Sequence, residues 1–105
     1  MSQSTSSKLT IITKRNGTTA PFQREKIVTA ISKAMKSVSE FEENAAETVA
    51  RAVEKRLMAK KLADEHFIPT VEGVQDEVET GLMLLGFLKS AKAYILYRAK
   101  RTEKR

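Results

Sequence analysis

The stretch Ile11-Ile12-Thr13-Lys14-Arg15-Asn16-Gly17-Thr18-Thr19-Ala20-Pro21-Phe22 decides how this chain begins to fold. Residues 8–13 are rich in β-branched and apolar side chains, as expected of a strand. Residues 18–20 can return as its antiparallel partner, and Pro21 ends the pairing because proline donates no backbone hydrogen bond. The stretch therefore predicts a small β-hairpin at the start of the domain.

The turn of this hairpin is predicted at Asn16-Gly17. Asn-Gly is the strongest short signal for a two-residue hairpin turn, because both residues tolerate positive φ. The hairpin would hold Lys14 and Arg15 just before the turn and close to the start of the first helix. Free backbone N–H groups at a helix N-terminus, next to two cations, favour the binding of phosphate.

Four helices are predicted after the hairpin, because apolar residues recur there at three- and four-residue spacing. The first predicted helix covers residues 23–38. The second opens with a capping box of Ser39 and Glu42 and has a polar exit near Lys60. The third runs from the N-cap Thr70 to a left-handed Gly86, and the fourth from about Phe87 to Arg101. We therefore predict an α+β fold in which a small N-terminal β-hairpin caps a four-helix bundle.

The predicted core consists of one apolar stripe from each helix, with Phe67 packing inward from the connection before the third helix. The stripes are Ile27, Ala30, Ile31, Ala34 and Val38; Ala45, Val49, Ala52, Val53 and Leu57; Val71, Val74, Val78, Leu82 and Leu85; and Leu88, Ala91, Tyr94 and Ile95. No linker divides the chain. We predict one domain over residues 9–102, a disordered lead-in over 1–8 and a basic tail over 103–105.

Composition excludes several classes of protein. The 105 residues suffice for one small domain and contain no cysteine, which excludes disulfides and thiol chemistry and is compatible with a reducing cytoplasm. His66 is the single histidine, so we predict no metal-binding residues. No apolar run approaches the roughly 18 residues that a membrane helix needs. Without a Walker glycine loop or a paired base and nucleophile, we also predict no catalytic residues.

The net charge of +6 is unevenly distributed along the chain. Residues 1–26 carry a net charge of +4, residues 27–88 a net charge of −4, and residues 89–105 a net charge of +6. If the two ends of the chain meet in space, they form one cationic patch. Such a patch favours an anionic partner.

Three stretches of this sequence resemble the ATP-cone domain family. They are Ile12-Thr13-Lys14-Arg15-Asn16-Gly17 with Pro21-Phe22-Gln23-Arg24-Glu25-Lys26-Ile27, then Thr70-Val71-Glu72-Gly73-Val74-Gln75-Asp76-Glu77-Val78-Glu79, and then Ala91-Lys92-Ala93-Tyr94-Ile95-Leu96-Tyr97-Arg98-Ala99-Lys100-Arg101. Each motif is degenerate alone, but the three in this order and spacing are specific, and they span nearly all of the chain after residue 8.

The resemblance implies a regulatory domain that binds ATP or dATP, with Mg²⁺ carried by the nucleotide and no catalysis in the domain itself. Its partner would be a ribonucleotide reductase subunit, in cis or in trans, whose activity and oligomeric state it controls. ATP would favour the active enzyme and dATP an inhibited oligomer. A nucleotide-dependent homo-oligomer of the domain is also implied. The family fold, a hairpin on a four-helix bundle, agrees with the fold predicted above.

The resemblance also implies a set of nucleotide-binding residues. Ile12 and Ile27 would line the base pocket, Thr70 would bond the nucleotide from the start of the third helix, and the last helix would close the site. The full set is Ile12, Lys14, Arg15, Gln23, Lys26, Ile27, Thr70, Tyr97 and Lys100, in which Lys14, Arg15 and Lys26 would contact phosphates. Three positions depart from the family pattern. Asn16 stands where Asp is common, Ala20 stands where some members have a Glu that contacts the base, and Gln23 stands where Asn or Asp is common.

A second function is compatible with the basic charge. The chain could be a basic helical module that binds nucleic acid, or a nucleotide-responsive transcriptional regulator. Against direct nucleic-acid binding, the predicted third helix is acidic, and the basic residues lie at the two ends of the chain rather than along one helix. Steep salt dependence would identify phosphate-tracking binding, whereas a nucleotide pocket would distinguish ATP from GTP.

Overall fold

A computed structural model describes residues 10–103 as a β-hairpin followed by four helices. The elements are β1 (Ile11–Thr13), β2 (Thr19–Pro21), α1 (Arg24–Ser37), α2 (Ala45–Ala63), α3 (Val71–Leu84) and α4 (Leu88–Glu103). This confirms the α+β prediction of a hairpin with a four-helix bundle. The predicted lead-in over residues 1–8 lies outside the described residues, as does the predicted basic tail except for Glu103, the last residue of α4.

The hairpin is antiparallel, with Ile12 opposite Ala20 at its centre. Its turn differs from the prediction, because three residues rather than two lie between Lys14 and Thr18, the last pair joined by a backbone hydrogen bond. Gly17 N–H donates to the Lys14 carbonyl at 2.9 Å, and Lys14 N–H donates to the Thr18 carbonyl at 2.7 Å. Only Gly17 takes a positive φ here, of 89°. Arg15 therefore lies within the turn, which is the common arrangement of a turn followed by a left-handed glycine.

The Asn16 side chain explains why this residue does not share the left-handed conformation. Its Oδ1 accepts hydrogen bonds from the backbone N–H of Thr18 at 3.1 Å and from the Thr18 hydroxyl at 2.7 Å. An asparagine side chain that bonds the backbone two residues later stabilises a turn without positive φ at the asparagine itself. The Asn-Gly signal located the turn correctly, although it gave the wrong loop length.

The four helices pack in a closed square around one core. Helix α1 packs against α2 and α4, and α3 packs against the same two helices. The buried apolar residues are Ile31, Ala34, Met35, Ala45, Ala46, Val49, Ala50, Val53, Leu57, Val74, Val78, Leu82, Ala91 and Tyr94. Phe67 packs against this core, as predicted. Within residues 10–103, none of the helices is long and apolar enough to cross a membrane.

The predicted capping box at Ser39 and Glu42 is wrong, because Ser39 ends α1 instead of opening α2. Ser39 is left-handed, with a φ of 60°, and Glu40 N–H donates to the Met35 carbonyl at 2.9 Å. That five-residue return is the hydrogen bond of a Schellman C-cap. Helix α2 begins only at Ala45, after a left-handed Asn44 whose side chain makes no capping hydrogen bond.

The helix ends around α3 agree with the prediction. The Thr70 hydroxyl accepts a hydrogen bond from Gly73 N–H at 2.9 Å, which makes Thr70 the N-cap. Gly86 follows the C-terminus of α3 with a φ of 91°, and Phe87 N–H returns to the Leu82 carbonyl at 2.8 Å. Glycine adopts this left-handed conformation without steric cost.

Part of the predicted apolar stripe of α4 faces away from the core. Ala91 and Tyr94 are buried as predicted, but Leu88 is 64% exposed and Ile95 42% exposed. The fully buried Ser90 faces the bundle instead, where its N–H and its hydroxyl both donate to a Glu40 carboxylate oxygen, at 2.8 and 2.7 Å. The side-chain hydrogen bond from Ser90 holds the pKa of Glu40 below its ordinary value. Leu85, at the end of α3, is also exposed.

Candidate functional site

A cavity of about 660 Å³ lies where the hairpin meets the helices α1, α3 and α4. Its volume is within the usual range of small-molecule sites. It is lined by Ile12, Lys14, Arg15, Asn16, Ala20, Pro21, Phe22, Gln23, Lys26, Ile27, Ala30, Val71, Val74, Gln75, Tyr94, Tyr97 and Arg98. The lining has charged and apolar surface, since cations lie near the hairpin turn and apolar side chains project from three helices.

The hairpin is held over this cavity by backbone contacts to the start of α3. Thr13 N–H donates to the Pro69 carbonyl at 2.9 Å, and Thr13 forms a parallel bridge with Thr70. Only two residues separate the end of β2 from the start of α1. The N-terminal turns of α1 and α3 are consequently both close to the hairpin, and the unpaired N–H groups of such turns attract anions.

Three cations line the hairpin side of the cavity. Lys14 precedes the turn, Arg15 lies within it, and Lys26 lies in the first turn of α1. Lys14 and Lys26 are exposed at this side. The Arg15 guanidinium lies 2.9 Å from a carboxylate oxygen of Glu72, in the first turn of α3. This arrangement presents positive charge to a ligand from two separate elements.

The apolar part of the cavity is contributed by all of the surrounding elements. Ile12 comes from β1 and Ile27 from α1, and both pack against the core. Tyr94 and Tyr97 come from α4, with ring centroids 6.1 Å apart and planes tilted by 36°. Aromatic and branched side chains of this kind can pack on the faces of a planar ring system. The cavity can therefore accept a ligand with a flat apolar part and an anionic part.

The structure brings most of the predicted binding residues together. The residues of that set that line the cavity are Ile12, Lys14, Arg15, Gln23, Lys26, Ile27 and Tyr97. Thr70 caps α3 beside the cavity but does not line it, and Lys100 is an exposed residue of α4 outside the lining. Asn16 and Ala20 also line the cavity, so all three departures from the family pattern lie at the site.

Sequence reasoning missed Gln75 and Arg98 as lining residues, and it placed Tyr94 in the core alone. Helical spacing carried the signal for all three. Gln75 lies four residues after Val71. Tyr94 lies three residues before Tyr97, and Arg98 lies four residues after Tyr94, which puts these residues on the cavity side of their helices. The Arg98 side chain is only 19% exposed.

Arg98 is held in place by two carboxylates of α3. Its Nη1 lies 2.9 Å from Asp76 and 2.6 Å from Glu79. Burial alone would lower the pKa of Arg98, but these hydrogen bonds and charges outweigh it and raise the pKa above the ordinary value. Arg98 remains charged, and it ties α4 to α3 at the edge of the cavity.

The chemistry of the lining suits binding. Its side chains supply cations, the amides of Asn16, Gln23 and Gln75, and apolar surface. The lining as described contains no carboxylate, imidazole or thiol. Within residues 10–103, no group of three or more His, Cys, Asp or Glu side chains is arranged to hold a metal ion. His66, the single histidine of the sequence, is 87% exposed in the connection before α3.

Comparison with known proteins gives a consistent result. The family model of the ATP cone domain matches residues 10–103. The vitamin B12-dependent ribonucleoside-diphosphate reductase of Thermoplasma acidophilum is 43% identical over 95 residues, which cover 86% of this chain and 12% of that protein. The ribonucleoside-diphosphate reductase subunit alpha of Treponema pallidum is 41% identical over 99 residues, covering 90% of this chain and 11% of that subunit. The vitamin B12-dependent ribonucleoside-diphosphate reductase of Mycobacterium tuberculosis is 34% identical over 94 residues, covering 90% of this chain and 13% of that protein. The chain thus spans only about a tenth of the length of the relatives it matches.

Proposed function

This chain belongs to the ATP cone domain family, and from that premise we propose that it is a regulatory domain that binds ATP or dATP and performs no catalysis of its own. The observation that carries the proposal is the cavity between the hairpin and the helices. Cations from two elements and the N-terminal turns of two helices surround its hairpin side. A polyphosphate needs several positive groups, and a purine needs a flat apolar space.

We propose that the phosphates bind at Lys14, Arg15 and Lys26. An arginine fork suits phosphate oxygens, while each lysine acts as a point charge. Ile12, Ile27 and Tyr97 would then surround the base, with Gln23 able to donate and accept hydrogen bonds at its edge. Mg²⁺ would enter with the nucleotide, because protein-bound Mg²⁺ is commonly held by substrate phosphates and water.

The partner we propose is a ribonucleotide reductase subunit, reached in cis or in trans, in the cytoplasm. The support is the similarity to segments of reductases from several organisms. The domain would control the activity and the oligomeric state of the enzyme, with ATP favouring the active form and dATP an inhibited oligomer. Nucleotide-dependent self-association of the domain itself would be one route to that control.

Nucleotide selectivity tests the binding proposal directly. The melting temperature is measured with ATP, dATP and GTP, each with Mg²⁺. Ligand at about 100 times its dissociation constant stabilises the fold by roughly 2.7 kcal/mol. For a domain of this size, that corresponds to an increase in melting temperature of roughly 10–20 °C. We expect a clear increase with ATP and dATP and little with GTP. Equal increases with all three nucleotides would show only an unselective affinity for phosphate.

Lysine substitutions locate the site. We expect Lys14→Ala and Lys26→Ala each to weaken ATP binding without loss of fold, because both side chains are exposed. Lys55→Ala is the matched control, since Lys55 is an exposed lysine of α2 outside the cavity lining. Isothermal titration calorimetry measures the three affinities. Wild-type affinity in either cavity variant would remove that lysine from the proposed site.

The regulatory part of the proposal has its own measurement. Sedimentation of the domain, alone and mixed with a reductase subunit, reports oligomer size in the presence of ATP or dATP. We expect the two nucleotides to give different distributions of oligomer size. Identical distributions would contradict control by association while leaving nucleotide binding intact.

A further inference from the structure

The Arg15–Glu72 ion pair joins the hairpin turn to the first turn of α3. The Arg15 Nη1 and Glu72 Oε2 atoms are 2.9 Å apart, and the two side chains are 43% and 40% exposed. The backbone bridge between Thr13 and Thr70 explains the contact. Arg15 and Glu72 each lie two residues after a bridge residue, so the bridge brings the two side chains to the same edge of the cavity.

Arg15 lines the cavity, whereas Glu72 lies just outside the lining. The carboxylate is placed to remain there, because it belongs to the first turn of α3, where the helix dipole favours negative charge. The guanidinium fork binds carboxylate and phosphate oxygens in the same geometry. A phosphate that approaches Arg15 therefore meets a carboxylate that already occupies part of the fork.

We propose that Glu72 competes with the ligand for Arg15, and that this competition lowers the affinity of the domain for nucleotide. This inference rests on the proposed function, because it concerns phosphate binding in the same cavity. Glu72 is then a residue that sets the concentration at which the domain responds. It does not itself contact the nucleotide favourably.

The expected effect follows from the exposure of the pair. Ion pairs between partly exposed side chains in water stabilise by a small amount, which corresponds to a change in affinity of about two- to fivefold when the pair must be broken. We expect Glu72→Gln to tighten ATP binding by about that factor. The glutamine keeps the size of the side chain and loses the charge that holds the arginine.

A double-mutant cycle separates competition from simple charge repulsion. The dissociation constant of Mg²⁺-ATP is measured by calorimetry for the wild type, Glu72→Gln, Arg15→Ala and the double variant. Competition for Arg15 predicts that the gain from Glu72→Gln disappears when Arg15 is absent. A gain of equal size in both backgrounds would overturn the proposal, because Glu72 would then act on the phosphates directly.

The controls keep the result interpretable. Glu43→Gln changes the net charge by the same amount at an exposed residue between α1 and α2, and we expect it to leave ATP binding unchanged. Ligand-free melting curves establish that every variant is folded. If wild type binds ATP but Glu72→Gln binds it no more tightly, only this inference fails. If wild type binds no ATP, both this inference and the proposed function fail.

Discussion

Replacement of Thr70 tests whether one side chain serves both the fold and the ligand. Its hydroxyl accepts the Gly73 N–H at 2.9 Å and is the N-cap of α3. The side chain is exposed, so an alanine would leave no cavity. Loss of an N-cap hydrogen bond costs about 1 kcal/mol. In a domain of this length, that lowers the melting temperature by roughly 4–8 °C.

Two further variants at the same position separate the two roles of Thr70. We expect Thr70→Ser to keep the wild-type melting temperature, because serine caps as well as threonine. Thr70→Asp should also retain stability, since aspartate is a good N-cap and its charge suits a helix N-terminus. The same charge beside the cavity should weaken ATP binding, because it repels the phosphates. In Thr70→Asp, the ATP affinity would therefore fall while the melting temperature stays near that of wild type.

Thermal unfolding followed by circular dichroism measures the first effect, and ATP titration calorimetry measures the second. If Thr70 also donates to the nucleotide, Thr70→Ala should weaken binding by about two- to tenfold, the range of a single neutral hydrogen bond. An unchanged melting temperature in Thr70→Ala would refute the capping argument. Wild-type affinity in both Thr70→Ala and Thr70→Asp would refute a role for this residue at the phosphate site.

Two other predictions concern the bundle. Burial alone would raise the pKa of Glu77, but hydrogen bonds from Arg56 and Lys60 outweigh it and hold the pKa below its usual value. The stability that this ionised carboxylate contributes is present above about pH 4 and is lost as the pH falls through the lowered pKa. The free energy of unfolding in urea should therefore depend less on pH in acid for Glu77→Gln than for wild type. At Gly81, an added Cβ would lie 3.4 Å from the Val49 Cγ1 atom. Gly81→Ala should change the free energy of unfolding by less than about 1 kcal/mol, whereas Gly81→Val should lower it by about 1–3 kcal/mol. Equal effects of the two variants in urea unfolding would contradict close packing at Gly81.

The parts of the fold that sequence reasoning predicted well are those governed by local chemistry. Thr70 begins a helix because its hydroxyl can reach the N–H three residues on, and Gly86 ends one because its φ is positive. Both requirements are visible in a window of a few residues. The existence of the hairpin was predictable for the same reason.

The predictions that failed depended on competition between neighbours. Ser39 has the residue type of an N-cap, yet it is needed to end α1, where it takes a left-handed conformation. Leu88 matches the apolar spacing of α4 but is exposed. Ser90 is buried in its place, where its N–H and its hydroxyl both donate to the Glu40 carboxylate. A pattern of residue types does not show which of two adjacent elements will use a residue.

The sequence indicated most of the side chains that line the candidate site, but it did not show which of its cations are paired with carboxylates. Counting by segment placed positive charge at both ends of the chain and negative charge between them. The fold sets the acidic α3 between the two basic segments, so that Glu72 faces Arg15 while Asp76 and Glu79 hold Arg98. Each arginine that lines the cavity is thereby matched with a carboxylate from one helix.

This pairing distinguishes the two arginines of the cavity lining from its two lysines. Lys14 and Lys26 come from the hairpin and α1, whereas the carboxylates that face the two arginines all belong to α3. A ligand with one negative charge can be neutralised by a lysine without disturbing α3. A polyphosphate gains more by also taking Arg15 from Glu72, and that exchange changes the contact between the hairpin and α3. The position of Arg15 thus links the charge of a ligand to the Arg15–Glu72 ion pair, which joins the hairpin to α3 beside the cavity.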